Sequence, residues 1–167
     1  MTGRDRAGES FWRFSLAFYA RPGVSDALLS LQDRAGCNVN LVLCAVWLGA
    51  VLGCRLDAER LRGLEAAAAA AQSVAEELRG LRRRLKAEAD PDLARLRGPI
   101  AALELAAERR VQERLAGSAP PVASAPPDLA ARLAAAEANL ALSLSPGPAE
   151  TPEARFLRSA IADFLRR

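Results

Sequence analysis

Apolar residues Phe11, Phe14, Leu16, Phe18 and Tyr19 recur at helical spacings from about Ser10 to Ala20, and Arg21-Pro22-Gly23 ends that run. Ser25 then suits the N-cap of a second helix carrying Leu28, Leu29, Leu31 and Gln32, closed by Gly36 as its C′ residue. Asn38 suits the cap of a third helix, from Val39 to about Cys54. Three helices this close together must pack as neighbours. Asp57 opens a long tract in which Val74, Leu78, Leu81 and Leu85 repeat at intervals of four, three and four, the pattern of an antiparallel helical seam. Asp90-Pro91 and Gly98-Pro99 break it, with Pro99 placed at a first helical position. Ile100, Leu103, Ala107, Val111 and Leu115 make a second stripe, so the two stripes are expected to face each other across a helical hairpin.

The segment 117–127, GSAPPVASAPP, reads as a linker with nothing to bury. Two amphipathic helices follow. Asp128 caps the first, with Leu129, Leu133, Ala136, Leu140 and Leu144; Thr151-Pro152 opens the second, with Phe156, Leu157, Ile161, Phe164 and Leu165. The expected fold class is therefore all-α. It is a helical bundle of three short N-terminal helices, a long antiparallel helical hairpin and one or two C-terminal helices. The expected domains are a main body over 1–116, the linker, and a C-terminal pair over 128–167 that packs on the body or on a second protomer.

Composition sharpens this picture. Of 167 residues 37 are Ala and 26 Leu, whereas Val, Ile and Thr supply 12 together, so a sheet-based fold is close to excluded. There is no histidine, which removes Ser-His-Asp and Cys-His catalysis and histidine-based zinc or di-iron sites. The 23 cations and 20 anions are interspersed, without the one-signed excess of a nucleic-acid groove. Cys37, Cys44 and Cys54 fit neither a disulfide framework nor a CxxC site, and the polar start MTGRDRAGESFW lacks a signal-peptide apolar region. Together they lead to the expectation of a cytoplasmic protein with buried, reduced thiols. Gly36 to Cys54 holds no charge, but only about 14 apolar residues follow Asn40, a length that reads as a core helix rather than a membrane span.

Two groups of residues are candidates for a site. The first is an uncharged tract with neighbouring aromatics: Trp12, Tyr19, Gln32, Asp33, Asn38, Asn40 and Trp47. It reads as capping with a satisfied polar contact, or as a pocket beneath the aromatic helix for a small apolar or anionic ligand. The second is an ion-pair or anion face of Arg79, Arg82, Arg83 and Lys86 with Glu104 and Glu108. Glu104 and Glu108, four apart, share a helix face and repel mildly unless offset. Arginines of the facing helix are the natural offset; two carboxylates without histidine make a thin metal set. Cys37 has no base to activate it. These observations imply no cofactor, no metal and no catalytic residue.

The segment FWRFSLAFYARPGVSDALLSLQDRAGCNVNLVLCAVWLG, with LRGLRRRLK (78–86) and ALELAAERRVQERL (102–115), resembles an uncharacterised proteobacterial family known as a conserved domain of unknown function. The resemblance covers residues 10–116. It implies an all-helical, soluble, bacterial protein and carries no activity, cofactor or site residue. The expected function is a non-enzymatic helical interaction or adaptor protein acting on an unknown partner or as a homodimer. Ligand binding by the N-terminal pocket is the alternative. Nucleic-acid or anionic-surface binding through Arg79–Lys86 is the weaker one, and membrane insertion is not expected.

Overall fold

A computed structural model describes residues 3–120, 128–144, 147 and 150–166. Among them the chain forms α1 (Gly3–Tyr19), α2 (Val24–Ala35), α3 (Val39–Ala50), α4 (Ala58–Lys86), the single turn α5 (Pro91–Ala94), α6 (Arg97–Gly117), α7 (Leu129–Ser143) and α8 (Pro152–Leu165), with no strand. The all-helical bundle expected from composition is the observed one. Of the stretch read as a linker, 121–127 lies outside the described residues.

The centre is α3. Every residue from Asn40 to Ala50 is buried, which is why this helix can be apolar all round. Helices α7, α6 and α1 pack on it, α2, α4 and α8 touch it, and α2 packs on α8. Asn38 caps α3 by accepting a hydrogen bond from the Leu41 N–H at 3.2 Å. No helix among the described residues is long and apolar enough to cross a membrane. Helix α3 ends at Ala50, four residues short of the expected Cys54, because Gly53 turns left-handed at φ 64°. Helix α1 is longer than expected, starting at Gly3. The N-cap of α2 is Gly23 rather than Ser25; its φ of 81° suits glycine, and the Phe156 ring lies where a Cβ would stand.

Close approach decides how α7 sits. A Cβ built on Gly49 would lie 2.3 Å from the Ala136 nitrogen, so the two helices nearly touch backbones there. Asn139, fully buried in α7, accepts from the Leu56 N–H at 2.8 Å. It donates to the carbonyls of Ala45 at 2.9 Å and Cys54 at 2.8 Å. Arg132 Nε donates to the Ala50 carbonyl at 2.6 Å. Arg132 thereby satisfies the last carbonyl of α3, and Asn139 ties the helix to the turn that follows it. Phe164 of α8 closes an aromatic cluster, edge-on to Phe14 and Phe18 at 5.4 and 5.6 Å.

The hairpin of α4 and α6 is antiparallel, but its seam differs from the expected stripe. Buried and half-buried positions Leu61, Leu64, Ala68, Ala71, Ala75, Leu78, Arg82 and Leu85 recur at alternating intervals of three and four. Val74 falls outside them and is 50% exposed. Alanine, not valine, occupies the contact, which draws the helices together. On α6, Leu103 is 55% exposed and Glu104 takes the inward position instead. That helix begins at Arg97, two residues before Pro99.

Two substitutions test this core. Gly49→Ala is expected to cost at least about 2 kcal/mol in urea unfolding, since neither backbone can withdraw. Asn139→Ala should cost about 3 kcal/mol by leaving the buried Leu56 N–H and the part-buried Cys54 carbonyl without a partner.

Candidate functional site

Arg79 and Arg82 stand one turn apart on α4, and Glu104 and Glu108 one turn apart on α6, so the antiparallel hairpin interleaves them. Arg79 Nε donates to Glu104 Oε1 at 3.2 Å and its Nη2 to Glu108 Oε1 at 2.5 Å. Arg82 Nε donates to Glu104 Oε2, and its Nη2 to Oε1 at 3.1 Å. Glu104 is only 6% exposed. Two guanidinium forks hold its carboxylate in the middle of the seam. The Arg82 hydrogen bond pulls the Glu104 carboxyl below its usual value of 4.5; burial opposes this, and Arg79 adds to it. Tyr19, at the end of α1, senses the same cluster. Burial pushes its phenol up, Glu108 adds to that, and Arg79 opposes it.

Beside this seam lies a shallow hollow of about 370 Å³, where the α2–α3 junction meets α4. Gln32, Asp33, Cys37 and Asn38 line one side, and Glu76, Arg79 and Arg83 the other. Arg83 bridges to Asp33 at 3.1 Å, an exposed pair worth no more than about 1 kcal/mol. The fold thus joins part of the uncharged tract to part of the basic run. Lys86, at the last position of α4, is exposed. Burial pushes the Cys37 thiol up, the opposite of what a nucleophile requires. Cys44, fully buried, is pushed up much further by the same cause.

The other aromatic and amide candidates go elsewhere, so the seven tract residues do not line one pocket. Trp47 is 1% exposed, packs on Phe11 with ring centres 5.2 Å apart, and donates from Nε1 to Ser10 Oγ at 3.4 Å. Asn40 lies inside and accepts from Gln112 Nε2 at 3.0 Å. Trp12, one residue and about 100° around the helix from buried Phe11, reaches the surface under the Arg109 guanidinium, 5.1 Å from its ring centre. It belongs to a separate groove of about 850 Å³ between α1 and α6.

Asn139 and Gln112 escaped the sequence reading. A lone amide inside an Ala/Leu helix was the available signal for the first; Gln112 sits among charges and gave none. Among the described residues no cluster of three His, Cys, Asp or Glu side chains is placed to hold a metal ion.

A family model described as a protein of unknown function, DUF2390, matches residues 10–115, from α1 to the last turns of α6. No curated protein and no solved structure matches the chain.

The buried carboxylate has a testable signature. Its folded-state pKa is lowered, so its contribution is complete above about pH 4.5 and is lost as pH falls through the depressed value. Glu104→Gln should flatten that acid limb of a stability–pH curve. At neutral pH Glu104→Ala is expected to cost about 3 kcal/mol, because the partly buried Arg82 loses its partner and Arg79 keeps only Glu108.

Proposed function

The chain belongs to DUF2390, a family of proteins of unknown function, and from that premise we propose that it is a non-enzymatic helical interaction protein. The observation that carries this reading is the outer flank of the α4–α6 hairpin. Helix α4 runs 29 residues, about 43 Å, and packs chiefly on α6. Its seam is pinned internally by the arginine–glutamate network. Beside the seam, Val74 and Leu103 are half-exposed and Leu81 and Ile100 partly buried, and Val74, Leu81 and Leu103 each stand one position before an inward-facing residue. Leu93 and Leu96, also exposed, extend the apolar surface around the hairpin tip. A stiff two-helix arm with unspent apolar area on one flank is suited to receive another helix, from a partner protein or from a second copy.

Arg79 and Arg82 are engaged within the seam, so the arginine run is not a continuous free stripe. The docking role is therefore assigned to the apolar flank rather than to nucleic acid or an anionic surface. Free thiols at Cys37, Cys44 and Cys54 support a reducing, cytoplasmic setting.

Site-specific photo-crosslinking tests the reading. A crosslinker at position 103 should give one discrete protein adduct in cells, a crosslinker at exposed position 62 none, and Val74→Glu should abolish the first. Equal labelling from both positions, or no adduct from 103, would sink the proposal.

A further inference from the structure

The groove between α1 and α6 lies outside the hairpin seam, and its chemistry is specific. Helix α1 contributes Glu9, Trp12 and Arg13; α6 contributes Arg109, Arg110, Gln112, Glu113 and Arg114. Its volume of about 850 Å³ falls in the range of small-molecule sites, roughly 300–1,000 Å³. Arg109 is fixed over Trp12 and lies 3.6 Å from both Glu9 and Glu113, so it props the indole and its charge is matched. Arg13 pairs with Glu9 at 3.0 Å and Arg110 with Glu113 at 2.6 Å. Two carboxylates thus serve three arginines, and Arg114 brings the cations to four. The groove keeps a surplus of two positive charges on fork-shaped donors suited to phosphate.

Opposite in character are the acceptors. Gln112 is 6% exposed, and its amide is held by Asn40 through Nε2. Its Oε1 is buried with no donor. A buried acceptor left unpaired is costly, and this one lies sealed behind the groove rather than open to it. The exposed groups ask for one ligand with a planar face for the indole and a phosphate for Arg110 and Arg114.

We propose that the α1–α6 groove binds a nucleotide-like ligand, a phosphorylated planar base of mononucleotide size, with Trp12 as stacking platform and Arg110 and Arg114 as the phosphate clamp. This stands apart from the docking role of the hairpin flank. Adenosine monophosphate, adenosine and inorganic phosphate are the probes. Of the two tryptophans Trp47 is sealed in the core, so a ligand-dependent fluorescence change reports Trp12.

Titration of the full chain with adenosine monophosphate should quench this emission saturably, and calorimetry should give the same constant. Adenosine and phosphate alone should each bind at least about tenfold more weakly. The exposed pair Arg110→Ala/Arg114→Ala should weaken binding by about tenfold or more with an unchanged helical spectrum and melting temperature. Trp12→Phe should retain binding in calorimetry while losing the optical signal. Absence of saturation up to about 5 mM overturns the proposal. So does inorganic phosphate binding as tightly as the nucleotide, or full affinity in the arginine pair variant. If binding grows with strand length in oligonucleotides and the mononucleotide stays silent, the ligand is a polymer and the mononucleotide site is refuted.

Discussion

A helix whose eleven consecutive residues are buried has no polar face to turn toward water, and its terminal backbone groups still need partners. Helix α3 resolves this with its own cap and with side chains of α7. Asn38 takes an N–H at its start; at the other end Arg132 of α7 reaches the last carbonyl, Ala50, and Asn139 joins the helix to the following turn through the carbonyls of Ala45 and Cys54. Gly49 lets α7 come close enough for those bonds to form. The C-terminal helices, which lie outside the matched family segment, thereby complete the burial of a helix inside it.

The hairpin obeys a different logic. At the proximal end alanines and leucines fill the seam; at the distal end, a buried glutamate sits between two arginines. Such a cluster contributes little net stability compared with apolar side chains of equal size, because desolvation offsets the attraction. What it does supply is register. Glu104 can meet Arg79 and Arg82 together at only one alignment of α4 on α6, whereas an alanine run would tolerate sliding by a turn. Turning Glu104 inward also turns Leu103 outward, so the seam and the exposed apolar flank are two consequences of one rotation of α6.

Much of the fold was legible because it depends on local chemistry. The caps Asn38, Asp57, Asp128 and Thr151, the stop at Gly36 and the break at Asp90-Pro91 each act within four residues. The inter-helix pairing of Glu104 and Glu108 with arginines was also readable, since the like charges needed an offset. The face assignments were less so. Val74 and Leu103 are the more apolar choices at their turns, but their neighbours Ala75 and Glu104 point inward, because helix rotation answers to the partner helix. Trp12 and Trp47 looked equivalent as pocket walls, yet one is stacked in the core and the other faces a groove. Gln112 and Asn139 find their partners 72 and 83 residues or more away, beyond the reach of any local pattern.

By itself, then, the sequence determined the helical class, the caps that open α3, α4, α7 and α8, the burial of α3 and the charged character of the hairpin contact. Those follow from backbone propensity, capping and the cost of exposing apolar surface, all of which act over a few residues. Only the tertiary structure decided which flank of the hairpin stays bare, which tryptophan is accessible, and that arginines far from the noted basic run converge with Trp12. These depend on rotation and distance between helices, set by a glycine contact at α7 and a four-residue charge cluster in the seam.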